Sequence, residues 1–172
     1  KRYKSLYSGA FYERFIEGKW VTAQGLVYPM FSPERHIKRC DGGFSRYYLS
    51  CDYGTVNPFS LGLWGECDGK WYRLDEYYYS GRDNGIQLTD EEYYRELERL
   101  ANGKDITALI IDPSAASFIQ TVLRHKKFRV IKANNDVLSG INRVCQALKD
   151  GEIFIYPCCA DAIREFSIYR WD

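Results

Sequence analysis

The sequence contains no long hydrophobic run and no N-terminal signal pattern, so neither a membrane span nor a secretory leader is read from it. A chain with neither is expected in a reducing cytosol. Charge of one sign is also missing: 24 Lys and Arg stand against 23 Asp and Glu, a net of +1. No global field therefore calls for a polyanionic partner. The six cysteines (40, 51, 67, 145, 158 and 159) lack the paired spacing of a metal site, and two of them are adjacent. Cys51 and Cys145 lie within apolar patterns and read as small core residues. No glycine-rich loop ending in Gly-Lys-Ser or Gly-Lys-Thr occurs, which excludes ATP hydrolysis by that route.

What is present suits one globular domain with a short arm. The chain has 172 residues, 45% of them hydrophobic and 27% charged, which is ordinary for a folded protein with a real core. Aromatics reach 16%, including fifteen tyrosines. Local basic clusters stand at 1–4 (KRYK), 34–39 (ERHIKR) and 124–129 (RHKKFR), and a solvated face is the plainer reading of each. Opening on Lys1 rather than Met, the chain is expected to be a piece cut from something longer. Residues 1–45 read as an arm packing on the domain: a turn or two of helix over 8–21, then an extended stretch broken by Pro29 and Pro33.

From residue 46 the pattern sharpens. Strands are predicted at 46–54, 58–67 and 70–79, the last two joined by the hairpin signal Asp68-Gly69. A helix follows over 89–102, opened by Thr-Asp-Glu-Glu, closed by Asn102-Gly103, with Tyr93, Leu97 and Leu100 on one face. The apolar run ITALIID at 106–112 reads as a strand buried on both faces. Helices are predicted at 113–126 and 136–151, the second with Val137, Ile141, Val144 and Leu148 aligned and Gly151 as its stop. Short strands at 128–133 and 152–156 follow these helices, and a last helix from 160 is expected to run off the chain end. An antiparallel three-strand meander feeding parallel βα units gives a three-layer α/β fold: a mixed sheet with helices on both faces.

The first strand and the ITALIID strand both end in aspartate, Asp52 and Asp112. If they are parallel neighbours, the two carboxylates meet at the carboxyl edge, where open α/β sheets bind ligands. Paired carboxylates repel, and a hard divalent cation between them resolves the conflict. Such a site suits phosphodiester hydrolysis. Each residue alone has a plainer role: Asp52 capping a turn, and Asp112 capping the helix that IDPS opens. Gly54 fits either reading by permitting backbone conformations that other residues avoid, and Asn57-Pro58 reads as the turn into the second strand. Ser114 and Ser117 suit helix capping, and His125 reads as solvated. His36 sits in the arm.

Several stretches resemble the nuclease domain of tailed-phage terminase large subunits: FYERFIEGKWVTAQGLVYPMF, YLSCDYGTVNPFSLGLWG, LIIDPSAASF, NNDVLSGINRVCQALKDGEIFI and IREFSIYRWD. The resemblance covers nearly the whole chain, with 1–45 as the link to an ATPase motor and 46–172 as the nuclease. It implies an RNase H-like fold, two Mg²⁺ or Mn²⁺ ions held by acids that include Asp52 and Asp112, and cutting of concatemeric double-stranded DNA. The implied partners are DNA, the motor domain, portal protein and small terminase subunit, in the cytoplasm of an infected bacterium, with no membrane. Lys38, Arg39, Arg124, Lys126 and Lys127 are the candidate DNA contacts. The family's further acid, with a nearby His, is expected after the IYRWD stretch; Asp172 itself does not match it. Two other readings stand beside this one. Asp52-Tyr-Gly-Thr55 resembles the phosphate cradle of actin and Hsp70-type folds, though 172 residues leave no second lobe. A non-catalytic DNA-clamping module with structural acids fits the tyrosines and basic clusters.

Overall fold

The computed structural model describes residues 25–54 and 57–171. The helix expected over 8–21, the cluster KRYK, Thr55 of the phosphate-cradle pattern and Asp172 lie outside the described residues. In chain order the elements are α1 (Pro33–His36), β1 (Arg46–Asp52), β2 (Phe59–Cys67), β3 (Lys70–Tyr79), α2 (Gly81–Asn84), α3 (Asp90–Ala101), β4 (Ile106–Ile111), α4 (Ala116–His125), β5 (Val130–Lys132), α5 (Val137–Asp150), β6 (Ile153–Ile155) and α6 (Ala160–Ile168).

Six strands form one mixed sheet in the order β5-β4-β1-β2-β3-β6. The meander β1-β2-β3 is antiparallel, with Asp68 and Gly69 both at positive φ in its tight turn, as that turn type requires. β4 and β5 extend it in parallel on one side, and β6 pairs in parallel with β3 on the other. This is the three-layer α/β arrangement expected from the sequence.

One face is closed by α3 and α4. Phe59, Leu61, Leu109, Ile111 and Phe118 are fully buried there, each contributing about 1.5–3 kcal/mol. Phe59 stacks on Tyr93 with ring centroids 3.9 Å apart, and Tyr53 stacks on Phe118 at 5.6 Å. α3 begins with a capping box: Thr89 accepts from the Glu92 amide and Glu92 reaches back to the Thr89 amide.

The other face carries α5 and α6, and residues 25–37 fold against them. The Leu26–Arg170 bridge and the Val27 amide donating to the Tyr169 carbonyl fix the segment beside α6. His36 is fully buried within α1; its Nε2 lies 2.9 Å from the Leu148 carbonyl, and Arg35 donates to the Lys149 carbonyl. Both side chains reach the last carbonyls of α5, where the Leu148 carbonyl also accepts from the Gly151 amide at 3.2 Å.

Several expectations shift. The last helix ends at Ile168, where Tyr169 turns extended and the chain returns to pair with Leu26. α4 starts at Ala116, because Asp112, Pro113 and Ser114 form a turn before it. In α5, Ile141 and Leu148 are buried but Val137 is 64% exposed, since the helix only settles on the sheet after its first turn. Cys51 is buried, whereas Cys145 is only half-buried, its thiol against the Val27 carbonyl.

Candidate active site

β1 and β4 run in parallel with Cys51 opposite Ile111. The next residues, Asp52 and Asp112, therefore leave the sheet side by side at its carboxyl edge. Buried neighbours on both strands make this register firm, because a one-residue slip would turn Leu49, Leu109 and Ile111 out of the core.

The two carboxylates are in different electrostatic states. Partial burial, and then the charge of Asp112, push the Asp52 carboxyl up from its ordinary value. Asp112 is held below its ordinary value by hydrogen bonds from Ser114, with a further contribution from Asn135. Its Oδ1 accepts from the Ser114 amide at 2.7 Å, a local turn two residues on. Asp112 is thus not the helix cap: α4 is capped at Ala115, without a side-chain hydrogen bond. The charge of Asp112 thus works against ionisation of Asp52, the conflict that a cation between two carboxylates relieves.

Gly54 shapes the turn after Asp52 by closeness. Its φ lies outside the left-handed region, but a Cβ there would fall 2.1 Å from the Asn57 carbonyl oxygen and 2.5 Å from that of Pro58. Asp52 lines a cleft of about 510 Å³ together with Ser60 and Arg73 of the sheet, Asp161 and Glu165 of α6, and Tyr28. Among the described residues no three His, Cys, Asp or Glu side chains gather tightly enough to hold a metal by themselves. Two carboxylates with water completing the shell still fit Mg²⁺, which retains several waters and takes one or two acids.

The predicted cations lie elsewhere. Arg124, Lys126 and Lys127 sit at the C-terminal end of α4, the opposite end of the parallel βα unit from Asp112. Arg124 pairs with Glu91 at 3.5 Å and Lys127 with Glu98 at 3.0 Å. His125, read as solvated, is exposed, and it also stacks on Tyr94 at 3.8 Å and lies 2.9 Å from a Glu91 oxygen. Lys38 lies over the Phe154 ring and Arg39 over Tyr156, beside β6, with β2 and β3 between them and β1. Sequence reasoning missed Arg73 and Glu76 of β3, a buried ion pair under the cleft. The only signal was a cluster of charge inside an otherwise aromatic strand.

No protein-family model matches the chain, nor does any curated protein sequence. Solved structures do. The large terminase of a thermophilic bacteriophage, in complex with ADP, is 46% identical over 99% of this chain and 43% of its own, with a TM-score of 0.86. The P22 large terminase nuclease domain matches at 14% identity over 88% and 82% of the two chains, with a TM-score of 0.67. The nuclease domain of the SPP1 large terminase, solved with bound Mn, matches at 18% identity over 75% and 71%, with a TM-score of 0.55. These last two speak for the fold alone. The chain spans less than half the length of the thermophilic phage's terminase. Its structural neighbours are phage large terminases and their nuclease domains, and the chain matches a terminase nuclease domain.

Proposed function

We propose that this chain is the metal-dependent endonuclease unit of a phage DNA-packaging terminase, hydrolysing phosphodiester bonds of concatemeric double-stranded DNA. The observation that carries the reading is the parallel register of β1 and β4, which leaves Asp112 next to Asp52, itself in the lining of an open cleft. The similarity to terminase nuclease domains supports the nuclease role.

Asp52 and Asp112 would hold two Mg²⁺ or Mn²⁺ ions. When bound, such ions supply an activated water and stabilise the leaving oxygen. The protein's own share is to fix the two carboxylates, keep Asp112 ionised through Ser114, and shape the cleft that admits the phosphodiester backbone. Because that backbone is the same at every base, cutting is expected to be independent of sequence. A further acid from beyond Asp172 would complete the site.

For the flanking duplex we assign Lys38, Arg39, Arg124, Lys126 and Lys127 as phosphate contacts outside the scissile step. Residues 1–45 would join the nuclease, 46–172, to an ATPase motor. Portal protein and the small subunit would be partners in the infected host's cytoplasm. Among the described residues no helix is long and apolar enough to cross a membrane.

The test is plasmid nicking in Mn²⁺ by the protein extended past Asp172. Asp52→Ala and Asp112→Ala should each lower the rate roughly 10³-fold, the scale of losing a group that stabilises transition-state charge. Nicking that survives both substitutions unchanged overturns the assignment.

A further inference from the structure

Arg73 and Glu76 stand three residues apart on β3, a spacing that puts side chains on opposite faces of a regular strand. Here the register slips: Leu63 faces Asp75, but Trp64 faces Arg73. Leu74 is the extra residue of a β-bulge, and the bulge turns Arg73 to the side of the sheet that carries Glu76. The two side chains are 11% and 6% exposed, and Arg73 Nε donates to Glu76 Oε2 at 3.1 Å. The guanidinium also donates to the Leu61 carbonyl at 3.2 Å and lies 3.5 Å from the Ser60 hydroxyl. Position 62 must be glycine for this, since a Cβ would meet Arg73 Nη1 at 2.4 Å.

The remaining contacts of Glu76 lead to α6. Its Oε1 accepts from the Asp161 amide at 2.8 Å and its Oε2 from the Ala162 amide at 3.2 Å. A helix N-terminus leaves its first amides unpaired, and the N-cap residue here, Cys159, provides no side-chain cap. A carboxylate from the sheet does so instead, at the positive end of the helix dipole. The Tyr156 amide donates to the Arg73 carbonyl at 2.9 Å, and the Cys158 thiol donates to the Leu74 carbonyl at 3.2 Å. The start of α6 is thus docked on the bulge itself.

This helix bears Asp161 and Glu165, which line the same cleft as Asp52. A buried ion pair is a poor choice for stability alone, because desolvation cancels much of its attraction. We propose that Arg73 and Glu76 are positioning residues for cleavage: through α6 they fix the cleft wall against Asp52. This sets the space in which the scissile phosphate sits. The inference rests on the nuclease reading of the cleft.

Glu76→Ala and Glu76→Gln in the protein extended past Asp172 test it, read by amide hydrogen exchange and by nicking kinetics in Mn²⁺. In Glu76→Ala, exchange at Asp161 and Ala162 should quicken at least about tenfold while α3 amides keep their protection. The maximal nicking rate should fall roughly 10- to 100-fold at an unchanged half-saturating DNA concentration, as for a displaced site. Glu76→Gln keeps an acceptor for the helix and should restore most of both. Uniformly faster exchange overturns the proposal, and so does local release of α6 with wild-type nicking. If Glu76→Ala does not fold, Arg73→Met/Glu76→Leu, which leaves neither an unpaired buried charge nor an acceptor for α6, takes its place: slow nicking supports the proposal and wild-type nicking overturns it. Equal nicking by the wild type and by Asp52→Ala marks failure of the nuclease reading itself, and this proposal falls with it.

Discussion

Toward α3 and α4, the central strands present Phe59, Leu61, Leu63 and Leu109, packed into one apolar cluster. Toward α6, the same strands present Ser50, Asp52, Ser60, Arg73 and Glu76. The first face gains its stability from apolar area and tolerates little change of volume. The second pairs Arg73 with Glu76 and leaves Asp52 beside a like charge. One face keeps the fold and the other spends part of that stability on a site, the usual division in enzymes.

Substitutions on each face sharpen the contrast. The largest effect is expected for Phe59→Ala, which empties the centre of the aromatic stack; chemical denaturation should show a loss of about 3–5 kcal/mol. Asp52→Asn should act in the opposite direction. Because the Asp52 carboxyl is pushed up, the folded chain holds that proton more tightly than the unfolded one. Its ionisation therefore costs stability as pH rises through the interval between the ordinary and the raised value. In EDTA at pH 7 the Asn variant should melt higher than the wild type, and the gap should close as pH falls through that interval. Asp112 behaves in reverse: its lowered carboxyl adds stability above the ordinary value, lost on acidification. A melting gap that persists at low pH breaks the account. The smallest effect is expected away from both faces. Arg124→Ala removes an exposed ion pair to Glu91 and should change stability by less than about 0.5 kcal/mol.

The succession of strands along the chain and the neighbouring ends of β1 and β4 were legible because each rests on a local rule. Asp68-Gly69 announces its hairpin, Thr89 and Glu92 announce their helix, and two strands ending in aspartate need only be neighbours to build a pair. Arg73 and Glu76 were hidden because alternation assigns them to opposite faces, and the bulge at Leu74 carries no glycine to betray it. The setting of Gly54 was misread for a related reason. Its backbone angle is ordinary, and the constraint comes from carbonyls three and four residues on. The basic run at 124–129 shows charge but not the glutamates of α3 that engage it, since those lie about thirty residues away.

The His36 cap on α5 has a consequence for the order in which the chain assembles. The residues it joins are 112 positions apart. At ordinary synthesis rates of ~5–20 residues per second, the segment around His36 waits roughly 5–20 s before Leu148 exists. Meanwhile its imidazole has no helix end to serve. The clasp between α1 and the end of α5 thus forms only after the five strands β1 to β5 have been made.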